Sequence, residues 1–447
     1  MDDSEEFEKV MGGRTENYLN LAYELLEYGF AEDANKVLLS CPAENPMKYY
    51  ALAYCCSEDG ESFLPEKIEE AKRYRALGEQ ADYACCFPNR VIEQIILQTM
   101  MMLGAEKIED APAMAHYYLG ELLYDKKRYQ EAAENWETCV TLKPDFAPAH
   151  RNLSIAYYNH KDVFSDRIGG DSADTLNALN EKARKEIAKA CALEPDNSRF
   201  LLEQEQLLKK LDVPEKERLE ILENHKEVLP DRYALMLAYV SLLNADKQYE
   251  KALELLMNYT FHVWEGGEGK VADEYKTALL SIAEQKIEEG TDEALLSAIH
   301  YAERSLKYPD NLGEGKLDNV PDNQAYYLMG VSYRALGNEA EAEKCFIKAT
   351  EGDQIPAQVR YYNDQPSDYI YYQGLAFHAL GNDEMAKKSF HQLIIYGEQH
   401  IFDEVGYDFF AVSMPELEVY QDDIEKRSRD YCKRLISLGQ KGLLEIE

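Results

Sequence analysis

Two copies of one short phrase carry the most suggestive chemistry in this chain of 447 residues: Gly267-Glu268-Gly269-Lys270 and Gly313-Glu314-Gly315-Lys316, whose first glycines stand 46 positions apart. Glycines free backbone amides, the lysine adds a cation, and a helix starting there would aim its N-terminus at an anion. Neither copy follows a strand or ends in the Lys-Ser/Thr of a phosphate loop, so nucleotide binding is not implied. His262 and Trp264 lie just ahead of the first copy, and Asn323 and Gln324 lie beyond the second. A third segment holds Tyr361, Tyr362, Asn363, Asp364 and Gln365. An indole, two phenols and several amides beside Lys270 and Lys316 suit a polyhydroxylated ligand or a peptide, with the aromatics as anchors. The competing reading makes the glycines helix caps, pairs the lysines with nearby carboxylates and uses the aromatics to fill seams.

Other constellations are weaker. His378 and His391 fall within helical patterns, and Glu398 to Glu404 around His400 forms neither His-Glu-x-x-His nor a calcium loop. The adjacent pairs Cys55-Cys56 and Cys85-Cys86 lack Cys-x-x-Cys spacing, and an odd count of nine cysteines fits buried free thiols in a reducing cytoplasm. Asn159-His160 suits either a pocket or a helix C-cap. With 84 acidic residues any carboxylate pair can be drawn, so none is singled out. No catalytic residue, metal or cofactor is assigned.

The 84 acidic against 48 basic residues give a net charge of -36, which repels phosphate backbones and anionic lipid heads. Nucleic acid and membrane surfaces are poor partners for such a chain. A protein segment, a cation or an uncharged ligand fits it better. No run of about 18 apolar residues occurs, and the acidic opening Asp2, Asp3, Glu5, Glu6 lacks the basic start of a secretory signal. A soluble, cytoplasmic protein is expected.

What must position these loops is a repeat. From Ala115 to Pro144 run Leu119-Gly120, Leu123, Tyr129, Ala132, Trp136, Cys139 and Pro144, the small and large positions of a tetratricopeptide (TPR) helix hairpin. The spacing returns at Gly330, Tyr333, Ala342, Phe346 and Ala349, and at Gly374, Phe377, Ala386, Phe390 and Leu393. Fainter copies sit at Ala22, Ala34 and Leu38, at Tyr249, Ala252 and Leu256, and around Ala298 to Pro309. The fold expected is an all-α TPR solenoid with enlarged loops between repeats. Its parts are an acidic tail (1–11), divergent helical repeats (12–110), TPR units with one inserted loop (111–198), a divergent pair with a TPR unit (199–260), TPR units with three loop insertions (261–398) and a capping region (399–447). The first insertion, around Gly169-Gly170, is expected to project from one edge. Strand patterns are confined to scraps such as Val405 to Val412. Gly330 and Gly374 stand 44 positions apart, against a usual period of ~34. The excess lies between hairpins, at the same place as the two glycine phrases, so the three loops should share one edge as a ridge or pocket.

The phrases Cys86-Phe87-Pro88-Asn89-Arg90, Tyr157-Tyr158-Asn159-His160, Trp264-Glu265-Gly266-Gly267-Glu268-Gly269-Lys270, Asn311-Leu312-Gly313-Glu314-Gly315-Lys316 and Tyr361-Tyr362-Asn363-Asp364-Gln365-Pro366 together resemble the C-terminal TPR region of a bacterial family. Its longer members carry a β-rich, apparently sugar-related domain ahead of that region. The resemblance covers roughly residues 12 to 440 and transfers no catalytic residue. It implies a carbohydrate-linked context, with Met1 standing close to the Gly12-Gly13-Arg14 that would follow the absent domain. The function expected is a non-catalytic scaffold binding a partner protein, such as a separately encoded carbohydrate-active domain. The alternative is a glycan-binding or glycan-processing component that uses the loops.

Overall fold

The computed structural model describes residues 3–57, 62–63, 65–103, 111–168, 170, 172–263, 267–317, 320–357, 364–406 and 419–447. Among these there is no strand, and one isolated antiparallel bridge joins Ser57 to Phe63. Most of the Val405 to Val412 segment lies outside the described residues. The chain divides into two units, Met1–Pro195 and Asp196–Glu447.

The first unit contains α1 (Asp3–Met11), α2 (Thr15–Glu27), α3 (Ala31–Ser40), α4 (Pro46–Tyr54), α5 (Ile68–Gln80), α6 (Val91–Met102), α7 (Ala113–Asp125), α8 (Tyr129–Leu142), α9 (Ala147–Asn159), α10 (Lys161–Ile168) and α11 (Ala173–Leu193). The second contains α12 (Ser198–Lys210), α13 (Glu215–Glu223), α14 (Tyr233–Ala245), α15 (Tyr249–Asn258), α16 (Lys270–Glu289), α17 (Asp292–Ser305), α18 (Asn323–Ala335), α19 (Glu339–Ala349), α20 (Tyr369–Ala379), α21 (Asp383–His400) and α22 (Ile424–Glu445). Hairpins form from α2 and α3, α4 and α5, α7 and α8, and α9 and α11, then from α12 onward in consecutive pairs, with α22 packed along α21.

The reason for the repeat pattern is visible at each hairpin crossing. A Cβ added to Gly120 would stand 2.3 Å from Trp136 Nε1, one on Gly330 2.6 Å from the Phe346 ring, and one on Gly374 2.5 Å from the Phe390 ring. Glycine on the leading helix therefore admits the large ring of the trailing helix, and these rings are at most 2% exposed. In the α9/α11 hairpin Ser154 takes the glycine's place and donates its hydroxyl to the Ala183 carbonyl at 2.7 Å. The turn after α7, α14, α18 and α20 uses a left-handed residue: Gly337 and Gly381 provide it after α18 and α20, while Lys127 and Lys247 adopt φ of 61° and 62° at the matching points after α7 and α14.

The first part of the insertion between α9 and α11, residues 161–168, is helical. It forms α10, which packs on α8, α9 and α11 and buries Phe164 and Ser165, because Phe164 finds the Tyr157 ring at 5.4 Å. Gly169 lies outside the described residues. Of the nine cysteines eight are buried and Cys85 is exposed. Burial pushes the Cys55, Cys86 and Cys139 thiols up to about 12, which keeps them protonated and unreactive.

Candidate partner-binding surfaces

The junction loops of the second unit touch one another in sequence. After α15, the Asn311 amide donates to the Leu256 and Tyr259 carbonyls, both at 2.7 Å, and the Phe261 N–H donates to the Asn311 carbonyl at 2.8 Å. Phe261 and Leu312 are thereby drawn into the core. Gly313 sits at φ 73°, where a Cβ would lie 2.5 Å from the Phe261 carbonyl oxygen, so both conformation and space require glycine.

The N-terminus of α16 does hold an anion, and that anion is Glu314. Its carboxylate accepts the Gly269 N–H at 2.6 Å. Burial pushes the Glu314 carboxyl up, while the amides of Gly269, Ala272 and Val271 pull it back down. Lys316 donates to the Leu306 carbonyl at 3.1 Å and pairs with Asp322, with both side chains largely buried. Asn323, almost fully buried, donates to the carbonyls of Ala349 (2.8 Å) and Glu351 (2.7 Å), which ties the start of α18 to the third loop. Gln365 exchanges two bonds with the Asp353 backbone, donating to its carbonyl at 2.7 Å and accepting its N–H at 2.9 Å.

Among the other loop residues, His262, Lys270 and Asp364 are exposed and Glu268 is half-buried. Trp264, Tyr361, Tyr362 and Asn363 lie outside the described residues. The polar groups of Glu314, Lys316, Asn323 and Gln365 are thus directed at the chain itself. A cavity of about 320 Å³ adjoins the third loop, between Gly352, Asp353, Gln354 and Ile355 on one side and Lys388 and Gln392 of α21 on the other.

A second surface is formed by the leading helices. The helices α16, α18 and α20 lie side by side, and Gln324 of α18 donates its amide to Glu284 of α16 at 3.2 Å. Burial pushes the Glu284 carboxyl up, and the Gln324 amide and Lys441 draw it back. The Tyr327 and Tyr372 rings stand 6.1 Å apart. Tyr371 donates its hydroxyl to Glu445 of α22 at 2.8 Å, with the Lys441 ammonium 5.2 Å from its ring centre. In the first unit the arrangement recurs: Asn152 of α9 donates to Glu121 of α7 and accepts from Arg151 at 3.1 Å. His160 caps α9, meets the Tyr124 hydroxyl at 3.1 Å and stacks on Tyr129 at 3.4 Å between centres.

Gln324 and His160 stood out in the sequence, whereas Asn152 and the acids Glu121 and Glu284 did not, although for the acids a signal existed. Each acid follows the small crossing residue directly, as Gly120-Glu121 and Ala283-Glu284, and a charge beside a packing position has to point along the row of leading helices. No group of three or more His, Cys, Asp or Glu side chains able to hold a metal occurs among the described residues. None of their helices is long and apolar enough to cross a membrane.

Tetratricopeptide-repeat family models match residues 113–146, 324–354 and 368–395, which are the hairpins α7/α8, α18/α19 and α20/α21. The architecture is a TPR α-solenoid. Similar solved structures include a tetratricopeptide repeat protein from Parabacteroides merdae, at 12% identity over 73% of this chain and 98% of that one, with a TM-score of 0.34. YrrB, described as a TPR protein with an unusual peptide-binding site, aligns at 14% identity over 60% of this chain and 92% of its own, with a TM-score of 0.26. The human IFIT1 dimer with PPP-AAAA aligns at 15% identity over 100% of this chain and 94% of that one, with a TM-score of 0.29.

Proposed function

We propose that this protein is a non-catalytic scaffold that grips a segment of a partner protein along the row of leading helices. One observation carries the reading: in each unit, neighbouring leading helices are laced by an amide-to-carboxylate bond, Asn152 to Glu121 and Gln324 to Glu284. Each pair offsets its own desolvation by that bond, and a carboxylate has more acceptor sites than one amide fills, so the strip can still take hydrogen bonds from a bound segment. Flanked by Tyr117, Tyr124, Tyr327 and Tyr371, these groups make polar and aromatic strips with their side chains already fixed. The resemblance carried by the loop phrases implies a carbohydrate-related context, and on that reading the partner is a separately encoded sugar-active domain.

The test uses the full chain as bait in extract of its native host, beside Glu284→Gln with Gln324→Ala, Glu121→Gln with Asn152→Ala, and Trp264→Ala with Tyr362→Ala. A stoichiometric protein captured by the parent and by the loop variant, but lost from a leading-helix variant of unchanged helicity, supports the reading. Loss only from the loop variant moves the surface to the junction loops. Capture of no protein, with glycan-array binding by the chain itself, would overturn the scaffold in favour of direct glycan recognition.

A further inference from the structure

The segment from Glu351 to Ala357 is fastened at both ends. The Glu351 carbonyl accepts the amides of Asn323 (2.7 Å) and Gln373 (2.8 Å), and the Asp353 backbone is locked by Gln365. The Ala357 N–H donates to the Ser367 hydroxyl at 3.1 Å, and the Ala357 carbonyl accepts from Tyr431 at 2.8 Å. A loop anchored this heavily ordinarily packs its own side chains, yet Ile355 is 72% exposed. The side chains of Asp353, Gln354, Lys388 and Gln392 make no hydrogen bond or ion pair among the described residues. They surround the cavity of about 320 Å³, a size at the lower end of small-molecule sites.

We infer that this cavity is a binding site for a neutral, hydroxyl-rich ring of the monosaccharide class. The lining contains one cation, one anion and two amides, so its formal charges cancel and donors and acceptors are mixed in nearly equal number. A charged ligand would leave one of the two ions opposed, whereas a hydroxyl both gives and takes a hydrogen bond and can meet every group in the set. Ile355 offers an aliphatic surface to the C–H face of a ring. Rigidity of the loop removes most of the ordering cost that a small ligand would otherwise have to overcome. The site is independent of the leading-helix surface, so either can fail while the other stands.

The experiment is ligand-observed NMR and calorimetry on the full chain with glucose, galactose, mannose, glucuronate and glucosamine as probes. At least one neutral hexose is expected to bind in the millimolar range (~1–10 mM). Gln354→Ala and Gln392→Ala should each weaken it about tenfold, and Gln365→Ala should weaken it through the loop with helicity unchanged. Lys36→Ala, on an exposed pair of the first unit, is the control and should leave affinity intact. Glucuronate binding tighter than every neutral hexose, with loss on Lys388→Ala alone, would overturn the neutral class in favour of an anion. Absence of binding by all five sugars, or hexose binding that survives Gln354→Ala with Gln392→Ala, would overturn the site.

Discussion

Gly120→Ala tests the packing logic of the whole array. The new Cβ would lie 2.3 Å from Trp136 Nε1 and 2.5 Å from its Cδ1, where ordinary contact begins near 3.4 Å. The indole must therefore retreat by about 1 Å, an overpacking that costs roughly 1–3 kcal/mol. It cannot retreat without stretching the bond it donates to the Tyr117 carbonyl, now 3.2 Å. Leaving a buried N–H bare costs a further ~1–3 kcal/mol. Against this stands the helix propensity gained on replacing glycine, about 1 kcal/mol. The net is a loss of about 1–5 kcal/mol, or roughly 2–20 °C in melting temperature for a unit of this size. The assay is thermal melting followed by helical circular dichroism, which also reads variants that lack Trp136. Gly315→Ala, whose Cβ would meet nothing within 4 Å, is the control and should stay within about 0.5 kcal/mol. Gly120→Ala combined with Trp136→Leu should cost less than the sum of the single changes, because the smaller side chain removes the clash. An unchanged melting temperature for Gly120→Ala, or strict additivity in the double variant, would refute the crossing geometry.

Three further outcomes are expected. Arg218 and Glu205 form a two-pronged pair with side chains 9% and 6% exposed, so Arg218→Met should destabilise the second unit by about 3–5 kcal/mol in urea unfolding, while Glu205→Leu with Arg218→Met should restore most of it. Gly313→Ala, forced into φ 73° and against the Phe261 carbonyl, should cost about 1–3 kcal/mol, read by hydrogen exchange at Phe261 and Gly269. Burial alone would lower the His150 pKa, but hydrogen bonds to Glu186 (2.6 Å) and the Pro144 carbonyl (3.1 Å) outweigh it and the charge of Lys189, so the net shift is upward. Stability from this raised pKa is fully present below the unfolded value of about 6.5 and fades as pH rises through the folded one. The first unit should therefore lose melting temperature above about pH 6.5, and His150→Gln should flatten that slope.

The hairpins were legible because their cause is local: glycine and ring stand sixteen positions apart at Gly120 and Trp136, at Gly330 and Phe346 and at Gly374 and Phe390, each within one supersecondary unit. The helix α10 ahead of Gly169 was not legible because glycine content speaks of backbone freedom, while α10 is settled by where Phe164 can be buried. The glycine phrases show a different limit. Their reading as an anion-holding helix start was chemically sound, yet the anion comes from Glu314, 45 positions beyond Gly269. No window of sequence around Lys270 contains that partner. Gln324 and Glu284 are 40 positions apart, so each could be placed on its helix from local sequence while their pairing could not.

The capping of one hairpin by a residue from another constrains how such a chain can change over evolution. Glu79 receives the N–H groups of Met114 (2.9 Å) and Ala115 (3.1 Å) that open α7, as Glu314 receives that of Gly269 at α16. Recombination that removed the stretch holding Glu314 would strand the start of α16, and a duplicated hairpin spliced in between would present the wrong side chain to it. Repeat arrays usually gain and lose members freely because each contacts neighbours through an interchangeable face. Here the joints are keyed, so the number and order of hairpins across 259–322 should be fixed among descendants, with variation confined to exchange of side chains.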